Sequence, residues 1–230
     1  FTLLLFFIFL MLTKASFTQV KTYEFEKISI ADFKSAIVGD TSAEAVVIAD
    51  VGNTRFEYGP TGFYLIFERK TRIRILKPEG TSHATIIIPL YKSEHNKEIV
   101  MSFKGYTYNL EKGEVVKTKV RGEDIFNENV SENWEQQKVA MPAVRENSIV
   151  EYSYQMKSEF TFNLQPWNFQ SDIPVNYSEY TVKTPEYFQY KKISHGYIPF
   201  AINIENRTTQ KFTVHFESRM ATQGLNTERE

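Results

Sequence analysis

Residues 141–175 read MPAVRENSIVEYSYQMKSEFTFNLQPWNFQSDIPV, and the fold class follows from this stretch. Met141-Pro142 anchors a turn, because proline fixes φ and lacks the amide that a helix or a central strand needs. Beyond it Val150, Tyr152, Tyr154 and Met156 share one face, and Glu151, Ser153 and Gln155 share the other. That period of two is the pattern of a half-buried β-strand. An aromatic cluster follows at Phe160, Phe162, Trp167 and Phe169, punctuated by Pro166 and Pro174.

Working outward, most of the chain repeats this pattern. Gly62–Leu76 reads as one long strand, with Phe63, Leu65, Phe67, Thr71, Ile73 and Ile75 on one face. Glu68, Lys70, Arg72 and Arg74 line the other, which reads as the solvated face of an antiparallel sheet. Ala45–Ala49 is a short buried run ending in a turn at Asp50-Val51-Gly52-Asn53, and Pro78-Glu79-Gly80 is a second turn. Ala84–Tyr91 is a strand that Pro89 confines to an edge or a bulge. Ile99–Leu110 and Glu114–Val120 form a hairpin over Glu111-Lys112-Gly113. Residues 122–140 read as loop with one strand around Val130–Trp134. Tyr177–Thr184, Tyr187–Ile193, Phe200–Ile204 and Lys211–Glu217 supply four more strands, the last two a hairpin over Asn206–Thr209.

One helix stands out before the strands. Ser29 is its N-cap, Asp32 lies three residues on, and Phe33, Ala36 and Ile37 make an apolar stripe that stops at Gly39. About eleven strands with regular turn signals indicate an all-β fold: an antiparallel β-sandwich, immunoglobulin-like in broad architecture, with one short N-terminal helix.

Composition narrows the function classes. The 230 residues carry 27 basic and 28 acidic side chains, a formal net charge of −1. That balance excludes the basic excess of a nucleic-acid binder. The sequence has no cysteine, so a disulfide framework and a thiol nucleophile are both excluded within it. His83, His95, His195 and His215 lack the spacing of a zinc site, no metal ligand set is assigned, and no cofactor is expected. No G-x-S-x-G elbow or glycine-rich phosphate loop occurs. Glu151, Glu159 and Asp172 flank the aromatic cluster and are the carboxylates that a glycosidase reading would have to pair. No catalytic residue is assigned.

Residues 1–12, FTLLLFFIFLML, are continuously apolar yet shorter than the ~20 residues of a membrane span. With small residues at Ser16 and Thr18, residues 1–18 read as an N-terminally truncated signal peptide cleaved before Gln19. Residues 19–218 read as the β-sandwich domain and 219–230 as a linker. No transmembrane span is expected after cleavage. Trp167, Phe169, Tyr154 and Phe160 are the candidate binding or interface residues: aromatics bury large apolar areas, so they read first as filling the sandwich core or covering an interface, and second as a platform on which sugar rings stack.

Six stretches carry a resemblance. They are Ala43–Asp50 (AEAVVIAD), Arg72–Gly80 (RIRILKPEG), Thr107–Gly113 (TYNLEKG), Met141–Val144 (MPAV), Ser148–Tyr154 (SIVEYSY) and Trp167–Val175 (WNFQSDIPV). In this order they resemble a β-sandwich domain family of unknown function, found in exported bacterial proteins immediately before a transglutaminase-like domain. The resemblance runs from about Thr22 to about Phe216. It implies a downstream transglutaminase-like partner domain in the same chain, which would hold the papain-like cysteine, histidine and aspartate. It also implies export to the periplasm or cell envelope of a Gram-negative bacterium. It carries no catalytic residue into this segment, and a glycan or a peptide stays open as a further partner. Arg145-Glu146-Asn147 stands where the family usually has a glycine, and Asn147 can supply the φ > 0 such a turn needs.

Overall fold

In the computed structural model the described residues are 23–35 and 42–207. The chain divides into two units, Phe1–Phe188 and Gln189–Glu230. Among the described residues of the first, a helical turn α1 (Ile30–Lys34) precedes nine strands: β1 (Ala45–Gly59), β2 (Gly62–Ile75), β3 (Thr85–Tyr91), β4 (Ile99–Glu111), β5 (Glu114–Lys119), β6 (Ile125–Asn129), β7 (Trp134–Ala140), β8 (Ile149–Ser158) and β9 (Ser178–Lys183). They form a six-stranded sheet in the order β5-β4-β8-β2-β1-β9 and a three-stranded sheet in the order β3-β7-β6. The all-β sandwich expected from the sequence is what the chain forms, with one parallel pair, β1 with β9.

β8, the strand read first, lies with β2 at the centre of the large sheet. Its face of Val150, Tyr152, Tyr154 and Met156 joins Ala45, Val47, Phe67, Ile73 and Ile75 in the core. The small sheet contributes Ile86, Ile88 and Leu90 of β3 with Val139 of β7. Each such side chain fully buried is worth roughly 1.5–3 kcal/mol. Pro89 lies on β3, an edge strand, where its missing amide breaks no ladder bond.

Turn chemistry fixes the registers. β1 and β2 are joined by Pro60-Thr61, with Gly59 paired to Gly62 and Gly62 at φ +117°. Lys112 and Gly113, at φ +49° and +87°, turn β4 into β5 in the doubly positive geometry that matches strand twist. Asn147 adopts φ +64°, so the turn keeps its left-handed residue without a glycine.

Several local expectations are corrected. Asp50-Val51-Gly52-Asn53 is not a turn: β1 runs straight through it, with a bulge between Val47 and Ala49. Gly52 is there for closeness rather than for turning, since a Cβ on it would overlap the Trp167 ring. Residues 122–140 are not a loop with one strand at Val130–Trp134. They form the hairpin β6–β7, and most of that supposed strand is its connection. The signal was faint because Ile125 and Val139 are the apolar residues that this pair turns into the core. Tyr187–Ile193 and Phe200–Ile204, both expected as strands, have no regular secondary structure. In the second unit, Lys192 donates to Asn203 and lies over the Phe200 ring. Pro78–Ala84 is a 3-10 helix instead of a simple turn. α1 has the Ser29–Asp32 capping box, but the stripe residues Ala36 and Ile37 lie outside the described residues, as do residues 1–18 and Lys211–Glu217. Among the described residues no helix is long and apolar enough to cross a membrane.

Gly52→Ala tests the close approach directly. In a Trp134→Phe background, leaving Trp167 as the only tryptophan, it should red-shift the fluorescence and cost about 1–3 kcal/mol, as overpacking does. An unchanged spectrum and stability would remove the close contact.

Candidate functional site

The chemistry-bearing groups of the first unit gather in two places, one on each face of the large sheet. On the inner face, Asp50 of β1 lies beside Arg69 and Thr71 of β2. Arg69 donates twice to Asp50, Nε to Oδ1 at 2.9 Å and Nη2 to Oδ2 at 2.7 Å, and Thr71 Oγ1 donates to Oδ1 at 2.8 Å. Arg69 is paired in register with Tyr154 and Thr71 with Tyr152 of β8. Trp167 closes this cluster from above: its ring lies 5.0 Å from the Arg69 guanidinium carbon and stacks on Tyr180 at 5.0 Å and 6°. Its indole N–H donates to Ser178 Oγ at 3.0 Å. Gly52, beneath the ring, leaves room for it.

Burial sets the electrostatics. Desolvation pushes the phenols of Tyr152, Tyr154 and Tyr180 above their ordinary range. Burial acts to lower Arg69, but the surrounding tyrosines and the Asp50 carboxylate outweigh it and raise the guanidinium, which stays charged.

On the outer face, Glu151 of β8 pairs in register with Arg72 of β2. Glu151 is 2% exposed and Arg72 6%. Arg72 donates through Nε at 3.0 Å and Nη2 at 2.7 Å to Oε1 of Glu151. The Glu26 amide donates to Oε2 at 2.7 Å, and the Tyr108 hydroxyl to the same atom at 3.2 Å. The solvated basic face expected from the sequence is therefore corrected. Arg72 and Arg74 are buried under residues 23–35, because their fork-shaped heads satisfy the carbonyls that this segment brings down. Farther along β2 the expectation holds: Glu68 is partly exposed, receiving Arg55 Nη1 at 2.6 Å and Gln155 Nε2 at 2.6 Å.

Both carboxylates are held by an arginine and by hydroxyl or backbone amide donors, the arrangement of structural ion pairs rather than of a poised base. The other carboxylates weighed above have partners of their own. Glu159 accepts from Lys157 and Asp172 from Ser171, so Glu151, Glu159 and Asp172 form no common pair. Among the described residues no group of His, Asp and Glu is arranged to hold a metal.

The four aromatic candidates fall into two groups. Tyr154 is buried and packs on Phe67, Phe67 on Trp167, and Trp167 on half-buried Phe169. Phe160 is buried elsewhere, edge-on to Tyr91, in a run from Trp134 through Tyr91 and Phe160 to Phe162. Sequence reasoning missed Asp50, Arg69 and Tyr180. The available signal was Arg69, a charge placed on the apolar face of β2 between Phe67 and Thr71. It also missed the outer surface of the small sheet, where Ile87, Phe126 and Trp134 are all exposed.

Residues 66–218 match the DUF3857 family, described as a domain of unknown function with a solved structure. No curated protein matches the chain. A crystal structure of a putative protease from Parabacteroides distasonis is similar with a TM-score of 0.39 and 9% identity, over 50% of this chain and 23% of that one.

Two outcomes test the site. Glu151→Ala strands the Arg72 charge in a buried setting and should cost about 3–5 kcal/mol in urea denaturation, while the double variant Glu151→Leu/Arg72→Met should regain most of it. A cost below about 1 kcal/mol for the single variant would contradict the burial. The tyrosines set an alkaline limit. Desolvation and the Glu179 hydrogen bond push Tyr177 up to about 12, and Tyr108 is raised by burial and by Glu151. A raised folded-state value adds stability that is complete below the unfolded value of about 10 and is lost as pH rises through the folded one. Unfolding free energy should thus be flat to about pH 10 and fall toward pH 12 as tyrosinate absorbance appears. Ionisation of all the tyrosines near pH 10 without unfolding would contradict it.

Proposed function

The chain belongs to the DUF3857 family, and from that premise we propose a non-catalytic accessory role. The segment packs against or positions a downstream transglutaminase-like, papain-like cysteine domain of the same exported chain, in the periplasm or cell envelope. The observation that carries the reading is the contrast between the two kinds of side chain. Charged groups fit for chemistry are closed into ion pairs, Glu151 with Arg72 buried and the buried Asp50 with a partly exposed Arg69, while large apolar groups stand in solvent on the outer surface of the small sheet. There Lys138 of β7 is paired with Ile87 of β3 on one side and Phe126 of β6 on the other. Ile87 is 55% exposed and Phe126 51%, as suits a surface that another domain covers.

Trp167 suits this role less well than its sequence neighbourhood suggested, because its ring is committed to Arg69, Gly52 and Tyr180. A second reading, an envelope carbohydrate- or peptide-binding module, is favoured by the exposed rings of Trp134 and Phe162 at the two ends of one aromatic run. Calorimetric titration with envelope glycans and peptides separates the two.

The test uses this segment and the following domain of its own gene as separate proteins. Ile87→Glu and Phe126→Glu are surface changes that leave the core intact, and each should weaken association about tenfold or more. Unchanged affinity in both variants, or a following sequence without a transglutaminase-like domain, would sink the accessory reading.

A further inference from the structure

Independently of that docking surface, the outer face of the large sheet grips main chain. Three charged side chains there, Arg72, Arg74 and Glu151, are each more than nine-tenths buried. All three are directed at backbone atoms of one non-strand segment, Tyr23–Ser35. Arg72 Nη2 donates to Glu24 O at 2.6 Å, Arg74 Nη1 to Ser35 O at 2.9 Å, and Arg74 Nη2 to Phe33 O. Glu151 Oε2 accepts the Glu26 N–H at 2.7 Å. The segment adds apolar anchors: Phe33 packs with Tyr108 and Ile149, and Ile28 packs against the same cluster. Phe25 lies under the Arg72 guanidinium, 5.6 Å from ring centroid to carbon.

Among the described residues this segment forms no ladder pair with any strand. A piece of chain built into a sheet is held by backbone ladders. This one is held by side chains that read its carbonyls and one amide, with aromatic anchors seated beside them, as a peptide ligand is held. Its backbone is bent for the purpose: Glu26 sits at φ +66°, a conformation costly for a residue with a side chain, and that bend delivers its N–H to Glu151. The Arg74 Nε is buried with no partner, so the fit leaves one donor unsatisfied.

We propose that the outer face of the large sheet is a peptide-binding surface, and that residues 23–35 of the same chain are its ligand, held in cis. Covalent attachment gives the segment an effective concentration in the millimolar range, enough to fill a site of modest intrinsic affinity. The ligand class is a short peptide with a left-handed turn, a free amide at the turn and an aromatic anchor on either side of it.

A protease recognition site placed between Ser35 and Ser42 of the full chain converts the cis ligand into a free one. After cleavage, a labelled synthetic peptide spanning Tyr23–Ser35 should exchange into the site and saturate it. Two altered peptides, one N-methylated at Glu26 and one carrying Phe33→Ala, should each bind about tenfold more weakly or worse. The changes lie in the peptide, so the fold of the domain is not at stake. The proposal is overturned if the domain unfolds on cleavage, if the labelled peptide fails to exchange, or if the altered peptides bind like the parent.

Discussion

The cross-strand pair of Glu151 and Arg72 is the constraint on which the first unit depends. It joins the two central strands of the large sheet, and its burial is tolerable only because every strong acceptor position on the carboxylate is used. That requirement dictates the covering segment. Without the Glu26 amide and the carbonyl of Glu24 overhead, two charges would sit half-satisfied in the middle of a sheet face. The N-terminal segment is thus the complement of Arg72, 48 positions from Glu24, and of Glu151, 125 positions from Glu26, the same ion pair that registers β8 against β2.

The inner face solves the same problem by other means. Asp50 and Arg69 are covered by a single indole instead of by a backbone segment, and Gly52 is the residue that makes room for it. Going along that face, the filling changes from aliphatic under the small sheet to polar and aromatic under Trp167. It ends in the rings of Phe56, Phe63 and Phe188. A sheet too long to be covered by three strands is completed by aromatic side chains.

What was legible in the sequence was what depends on period alone. The faces of β2 and β8, the edge position of β3, the β4–β5 turn and the positive φ of Asn147 all follow from alternation and turn chemistry. What was not legible depends on which distant segment covers a face. Arg72 and Arg74 have the spacing of solvated residues, and nothing local distinguishes them from Glu68, which is partly solvated. Gly52-Asn53 carries a turn signal, but the reason for that glycine lies at Trp167. β6 and β7 were hidden because a small edge sheet needs few inward apolar residues. Of the four aromatic candidates, Tyr154, Trp167 and Phe169 come together and Phe160 belongs elsewhere, a division set by strand order rather than by sequence distance.

Residue-resolved hydrogen exchange of the Glu26 amide in the intact chain tests the account most directly. Glu26 lies in an irregular segment, and among the described residues it has no ladder partner and its amide is held by the buried Glu151 carboxylate. The account predicts slow exchange in the native chain, and loss of protection at Glu26 in a Glu151→Gln variant whose β8 amides remain protected. Fast exchange at Glu26 in the native chain would contradict it, because the ion pair would then lie open to water.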